Sequence, residues 1–240
     1  MKMRCYLAMT GAEFTAAAKL PEHTAWMACH FSCYGTGLSN LPPSLPEGSM
    51  IILNDRTPVQ GHDPGLILEQ LRLLYEQLKP SCFLLDLQRS GATEIVKTLT
   101  QGLPCPVGVT AEYAAALSCP VFLEPPPLHV PLQEHLAPWK GREVWLEAAL
   151  EAERITVDTQ GSQVEPADIA LLDEPVFEEP ELHCRYNIRL TENTAVFQLL
   201  RAKEDLVRLL EDAQKRGVTQ AVGLYQQLAH SPEDSENRNI

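Results

Sequence analysis

The stretch "PSCFLLDLQRSG", residues 80–91, ends an apolar run with side chains that could bind a ligand or take part in chemistry. Asp86 and Gln88 are two positions apart, so on a strand both side chains point to one face. Gln88 offers two donors and an acceptor while Asp86 accepts, so the pair could fix the hydroxyl or amide groups of a ligand. The alternative is that the two side chains hydrogen-bond each other and the neighbouring strands.

Polar residues close most of the other apolar runs in the same way. If these runs are parallel strands of one barrel, their carboxyl ends share one rim, which is where barrels carry their sites. Carboxylates at such a rim suit general acid/base work on a glycosidic bond, which needs one protonated and one ionised carboxyl. The candidate catalytic carboxylates are Asp86, Asp55, Glu124 and Glu147, and the candidate ligand-binding residues are Asp86, Gln88, Arg89, Asp55, Arg56, His30, Glu124 and Tyr225.

Two of the candidate carboxylates have specific structural alternatives. Asp86 could pair with Arg56 or Arg89 as a buried ion pair, which is as compatible with the sequence as a ligand contact. Asp55, in "NDRTP", could accept backbone N–H groups within its own loop, which is a common use of aspartate.

The other candidates also have simpler interpretations. His30 is compatible with a hydrogen-bonded core histidine, and Tyr225 with a core or rim aromatic. Glu124 precedes three prolines in a stiff loop, where a solvated carboxylate is common. Glu147 becomes an ordinary surface residue if "WLEAALEAE" is helical.

Eight short apolar runs predict the strands that would position these residues. Their hydrophobicity is continuous, which is typical of parallel strands covered by helices on both faces. The runs lie at 4–10, 25–32, 49–55, 82–88, 105–110, 119–124, 143–149 and 219–226.

Helical patterns between these runs favour a barrel. The first of the two strongest patterns begins at Asp63–Pro64 and ends at Lys79, and the second is "AKEDLVRLLEDAQKRG". Shorter helices are predicted at 92–101 and 111–117. Proline-rich links at 42–46 and 125–131 read as irregular loops that replace two helices. We therefore expect an α/β fold, a trimmed (β/α)8 TIM-like barrel; an open doubly wound sheet is the alternative.

The region 151–201 breaks this rhythm. It alternates around polar turns at 158–162 and at "TEN", which predicts antiparallel hairpins inserted before the last helix. The acidic link between them reads as a surface loop. We expect one barrel domain over 1–228, with inserted hairpins at 151–201, and a disordered tail at 229–240.

The charge of the chain and the length of its apolar segments limit the kinds of partner that it can bind. The formal net charge is −13, from 32 acidic and 19 basic residues, which predicts no binding to nucleic acid, and no segment reaches the apolar length of a membrane span. A small polar ligand and a protein partner are both compatible with the sequence.

The cysteines and the amino terminus indicate the compartment. Seven cysteines form an odd set in apolar runs, and the amino terminus lacks the apolar region of a signal peptide. Both features favour a cytoplasmic protein with reduced thiols.

No motif demands a cofactor. Cys29, His30 and Cys33 are close in "CHFSC", but no second pair follows at zinc-ligand spacing, so we predict no metal. "CYGTGLSN" has G-x-G without the third glycine of a dinucleotide fingerprint, and reads as a flexible loop.

The run "SCFLLDLQ", residues 81–88, resembles the fourth-strand signature of glycoside hydrolase family 18, D-G-h-D-h-D-h-E with h apolar. The resemblance places Asp86 on the last aspartate and Gln88 on the glutamate that serves as the acid, while Ser81 and Leu84 replace the other aspartates. "GVTQAVGLYQQL" is similar to the family's last strand, with Tyr225 where a tryptophan floors the sugar site. The chain as a whole also resembles a bacterial family of short TIM-barrel-like proteins of uncharacterised activity.

Three functions follow as hypotheses. The resemblance implies a barrel that binds a carbohydrate or polyol at its rim but lacks the family's catalytic acid, because a carboxamide cannot donate a proton as a carboxyl does. The second is a working hydrolase whose carboxylate pair has moved to two of the four candidate carboxylates. The third is a protein-interaction module that uses the inserted hairpins.

Overall fold

The computed structural model describes residues 2–171 and 174–228, which form two compact units. The first contains residues 2–124, 141–147 and 218–228. The second contains 125–140 and 148–217, apart from 172 and 173. The predicted tail at 229–240 lies outside the described residues.

The barrel consists of eight parallel strands, confirming the predicted class. All eight apolar runs of the sequence form these strands. They are β1 (Arg4–Met9), β2 (Thr24–Phe31), β4 (Met50–Asn54), β5 (Cys82–Asp86), β6 (Val107–Thr110), β7 (Val121–Leu123), β8 (Val144–Ala148) and β14 (Gln220–Leu224). The eight strands pair in the order β1-β14-β8-β7-β6-β5-β4-β2, and the pairing of β1 with β2 closes the ring.

The continuous hydrophobicity of the strands reflects burial on both faces. In β5, Cys82 and Leu84 belong to the cluster that fills the barrel, while Phe83 and Leu85 alternate with them and are also fully buried. Trp145 is the largest fully buried side chain of this interior cluster. Its ring occupies the space where Gly108, on β6, has no side chain.

The helices of this unit are uneven in length, so the barrel is trimmed as predicted. The long ones are α2 (Pro64–Leu78), which Asp63 caps and which ends at Lys79 in the left-handed conformation, and α3 (Thr93–Gly102). In the described part of the chain no helix joins β2 to β4, and that link carries only the short strand β3 (Leu38–Ser39). The helix expected at 111–117 is shorter than predicted. The remaining helices are α1 (Gly11–Ala16), α4 (Ala111–Ala114) and α7 (Tyr225–Leu228).

The second unit contains the inserted hairpins, as predicted. Its antiparallel sheet has the order β10 (Gly161–Pro166), β9 (Glu151–Asp158), β13 (Thr194–Arg201), β12 (Cys184–Leu190) and β11 (Phe177–Glu179). The acidic link was expected to be a loop, but it contributes the edge strand β11 and a short 3-10 turn at Ile169–Leu171, because backbone pairing with β12 stabilises three of its residues. The helices of this unit are α5 (Leu132–Leu136), with a 3-10 turn at Ala137–Trp139, and α6 (Lys203–Lys215).

The second unit contains a small apolar core and a buried, charged arginine. Leu128, Cys184 and Leu199 are buried against each other. Arg201 is fully buried, and its guanidinium donates to the Glu151 carboxylate at 2.6 Å and to the Pro126 carbonyl at 3.0 Å.

None of the helices in residues 2–171 and 174–228 is both long and apolar enough to cross a bilayer.

Candidate functional site

Three polar side chains form a row where neighbouring barrel strands end. Asn54 lies opposite Asp86 across β4 and β5, and His30 lies opposite Asn54 across β2 and β4. Because residues that are directly opposite share a face, the row brings a histidine, an amide and a carboxylate together at the carboxyl end of the barrel.

The row borders an open cavity of about 820 Å³, which is large enough for a small polar ligand. Five predicted site residues line it, and sequence reasoning missed several others, including Trp26, Asn40 and Asn54. The full lining is Thr10, Gly11, Thr15, Trp26, Met27, Ala28, His30, Asn40, Leu41, Asn54, Asp55, Arg56, Asp86 and Gln88.

Asp86 and Gln88 contact each other directly. β5 ends at Asp86, so Gln88 lies in the loop beyond the strand and not on a strand face as predicted. Its side-chain amide nonetheless donates to Asp86 Oδ1 at 3.2 Å. Gln88 is exposed, so its remaining donor and its acceptor face solvent at the cavity.

Asp86 lies in an environment that disfavours its charge. Burial raises the pKa of its carboxyl, and the negative charges of Asp55 and Glu124 raise it further, whereas the Gln88 hydrogen bond acts in the opposite direction. No Lys or Arg of the described chain forms an ion pair with Asp86, so the alternative of a buried pair with Arg56 or Arg89 is wrong.

We expect Asp86→Asn to stabilise the folded protein near neutral pH. The raised pKa means that the folded state holds the Asp86 proton more tightly than the unfolded state does, so wild-type stability falls as the pH rises through that pKa. Asparagine removes this loss and still accepts from Gln88. Melting temperatures across the acid-to-neutral range should show the variant above wild type at pH 7, with the gap closing in acid.

The exposed Glu69→Gln on α2 is the control for this measurement and should melt like wild type at every pH. A variant that is no more stable than wild type at neutral pH would contradict the unfavourable ionisation of Asp86.

Asp55 has a positioning role that only the fold reveals. It is buried, and its Oδ2 accepts the backbone N–H groups of Gln88 at 2.8 Å and Arg89 at 2.6 Å. The interpretation as a backbone acceptor is correct in kind, but the donors lie 33 and 34 residues away and not in its own loop. Asp55 therefore fixes the loop that presents Gln88.

His30 is hydrogen-bonded at both ring nitrogens. Nδ1 lies 2.8 Å from the Phe31 carbonyl and Nε2 lies 3.0 Å from the Asn40 amide nitrogen. Because a carbonyl only accepts, Nδ1 donates to Phe31, so both ring nitrogens already have partners within the protein. The backbone carbonyl of Asn40 also accepts the Trp26 indole N–H, at 2.8 Å. The hydrogen bonds among His30, Asn40 and Trp26 therefore fix the positions of three residues that line the cavity.

Glu147 lies on strand β8 and not on a helix, so the helical interpretation of its segment is wrong. Asp86, Asn54 and Glu147 line a second cavity of about 80 Å³ in the barrel interior, above Leu84 and Phe122. The alternation of β8 places Glu147 on the same inward face as Trp145.

The remaining candidates do not line either of these two cavities. Glu124 is exposed just after β7 and acts on Asp86 through its charge. Tyr225 begins α7. Arg89 contributes its backbone: its N–H donates to Asp55, and its carbonyl accepts from the Tyr113 hydroxyl.

Residues 2–171 and 174–228 contain no group of three His, Cys, Asp or Glu side chains arranged to hold a metal ion. The seven cysteines are free thiols. Cys29, from the "CHFSC" segment, is buried, and burial raises the pKa of its thiol to about 12.

The chain resembles glycoside-hydrolase-like TIM barrels of known structure. It superposes on a chitinase from Chromobacterium violaceum with a TM-score of 0.53 and 8% identity, covering 95% of each chain. It also superposes on the spore cortex-lytic enzyme SleL of Bacillus cereus with a TM-score of 0.51 and 6% identity, covering 92% of this chain and 70% of the other. At such identities the likeness establishes the fold alone.

No protein-family model matches the chain, and a search of the curated proteins finds no significant match. The structural neighbours agree with the fold that the fourth-strand resemblance implied. At the position of the signature's second aspartate, Leu84 is fully buried in the barrel interior, so this chain has an apolar contact there instead of a carboxylate.

Proposed function

We propose that the barrel binds a carbohydrate or related polyol at its carboxyl-terminal rim and lacks the catalytic acid of the fourth-strand signature. The observation that carries this proposal is the open cavity, in which Asp86 and Gln88 offer an acceptor and a donor beside the indole of Trp26. The amide of Asn54 is hydrogen-bonded to the backbone of Met27 and Arg56 and shapes the same wall. Ligand pockets combine apolar walls with a few such convergent polar groups. The carboxamide of Gln88 supplies no proton donor of tunable acidity.

Thermal unfolding of the purified protein with a panel of sugars, amino sugars, nucleotides and divalent metals tests the proposal. A ligand at 100 times its dissociation constant stabilises the folded state by about 2.7 kcal/mol, which is easily measured. A shift with one class of sugar supports the proposal, and unchanged melting with every sugar contradicts it.

Gln88→Ala is expected to weaken the bound sugar by about 1–3 kcal/mol, because ligand groups that Gln88 contacts would lose their partner. Isothermal titration of wild type and variant with the sugar found in the screen measures the change. Gln101→Ala, an exposed amide on α3 outside the cavity, should bind like wild type. Equal affinity of the Gln88 variant would remove this residue from the site.

A second function is favoured by one observation, the shared interior cavity of Asp86 and Glu147. Glycoside hydrolysis needs one carboxyl that keeps its proton and one that is ionised, and burial raises the pKa of Asp86 in the direction that an acid requires.

If the protein hydrolyses glycosides, Asp86→Asn should lower turnover by about 10²–10⁴-fold, the usual contribution of a general acid. Release of nitrophenol from nitrophenyl glycosides measures this, with Glu69→Gln as the unaffected control. Turnover that survives the substitution would exclude Asp86 from the reaction.

The free state of all seven cysteines supports our inference of a cytoplasmic location, where thiols stay reduced.

A further inference from the structure

The antiparallel sheet of the second unit has an apolar face that its register defines. Pairing aligns Ile188, Phe197, Ile155 and Val164 in one row across four strands. Directly opposite residues share a face, so this row lies on one side of the sheet. The neighbouring rows on that side are Phe177, Tyr186, Leu199 and Glu153, and then Leu190, Ala195, Val157 and Ser162.

This face is apolar where a solvated sheet face is normally polar. Five of its large apolar side chains are exposed, and Leu190 has the highest exposed fraction at 71%; the others are Val157, Val164, Phe177 and Ile188. The opposite face carries Arg154, Thr156, Gln163, Asn187 and Arg189. Antiparallel sheets usually turn the apolar face to a core, and here the core of the unit covers only the part of the face around Leu199. The exposed remainder marks a surface that another molecule covers.

The apolar face leads into a groove suited to an apolar anchor. The groove has a volume of about 310 Å³, between Ile155, Phe197 and Tyr186 on the sheet and Leu182 beside it. The ring of Tyr186 stacks on Phe177 with centroids 5.3 Å apart, which extends the aromatic surface to the edge strand β11. Aromatic surfaces beside a pocket are typical of the central part of protein interfaces.

The charges around the face determine which partner it fits. Residues 151–171 and 174–192 contain ten Asp and Glu against three Arg. Two of the arginines are already paired within the unit, Arg154 with Glu165 at 3.3 Å and Arg185 with Glu204 at 3.1 Å. Glu179 lies in the lining of the groove itself. A second copy of this chain would bring the same acidic surroundings against themselves, whereas a basic partner would be attracted.

We propose that this face binds a basic amphipathic segment of a partner protein, whose apolar side chains occupy the groove and whose Lys or Arg residues meet the acidic surroundings. The proposal is independent of sugar binding at the barrel rim. It uses residues of the second unit only, so either can fail without the other.

A fluorescently labelled peptide of Leu and Lys at helical spacing is the probe, with anisotropy as the readout. We expect saturable binding that weakens with added salt. The charge-reversed Leu/Glu peptide should not bind. The double variant Ile188→Ser/Leu190→Ser keeps every charge of the protein and should weaken binding at least about tenfold, because it removes apolar contact alone.

Leu73→Ser, at a leucine on α2 whose exposed fraction of 60% lies between those of Ile188 and Leu190, is the matched control and should bind like wild type. All variants are first compared with wild type by melting temperature, since exposed positions should not affect folding. Absence of peptide binding would overturn the proposal. So would equal binding by the double variant, which would indicate attraction to net charge alone.

Sedimentation velocity tests the remaining alternative, in which a second copy of this chain covers the face. We expect a monomer at all concentrations. A dimer that the double variant abolishes would make a second copy the occupant and overturn the proposal of a basic partner.

Discussion

Gly108→Ala is expected to destabilise the barrel by about 3 kcal/mol, the upper end of the cost of overpacking a core. A Cβ at position 108 would lie 2.3 Å from Cε3 and Cζ3 of Trp145, far inside van der Waals contact. The ring cannot move aside easily, because it is fully buried in the interior cluster and its N–H donates to Glu143 at 3.0 Å. The backbone of Gly108 does not lie in the left-handed region, so the cost is steric.

Urea unfolding of wild type and variant measures this loss. Gly35→Ala is the control, because its Cβ would meet only Ser32 Oγ at 4.0 Å and the site is exposed. In a Trp145→Leu background the same Gly108→Ala change should cost much less, since the atoms that clash are gone. Equal cost in both backgrounds would show that the ring does not set the requirement for glycine.

The second large effect is expected at the buried cation. Glu151→Gln should cost about 3–5 kcal/mol, because it leaves the fully buried Arg201 without its only short carboxylate contact among the described contacts, at 2.6 Å. Burial already lowers the pKa of Arg201, and the charge of Glu151 counters that shift. The free energy of unfolding from urea titration gives the value.

Glu165→Gln provides the matched comparison within the same sheet. Its pair with Arg154, at 3.3 Å, is exposed on both sides, so its loss should cost about 1 kcal/mol or less. The double variant Glu151→Leu/Arg201→Met should be more stable than Glu151→Gln, because it removes the buried charge together with its partner. A Glu151 variant that is no less stable than the Glu165 variant would contradict the importance of the buried pair.

The sequence by itself determined the barrel, because the signals for its strands and helices are local. Continuous apolar runs need only the burial of both strand faces, and they located all eight barrel strands. The leucine spacing between Asp63 and Lys79 predicted α2 with both of its ends. Alternation around polar turns likewise predicted the hairpins of the second unit.

Only the tertiary structure decided what the polar side chains do. Asp55 is recognisable in the sequence as a backbone acceptor, but its donors at Gln88 and Arg89 come from the next strand's loop. The raised pKa of Asp86 depends on burial and on charges from other strands. Such contacts are set by the register between segments that are distant in the chain, and no short-range pattern encodes that register.

The same reason applies to the inserted sheet. Its sequence alternates in the way that a sheet with one covered face requires, and it therefore predicts two faces of different polarity. Which face meets solvent depends on packing against the rest of its unit, and there the apolar residues Ile188 and Leu190 are exposed. Periodicity determined the strands, whereas the three-dimensional packing decided which part of their apolar side is core and which part is surface.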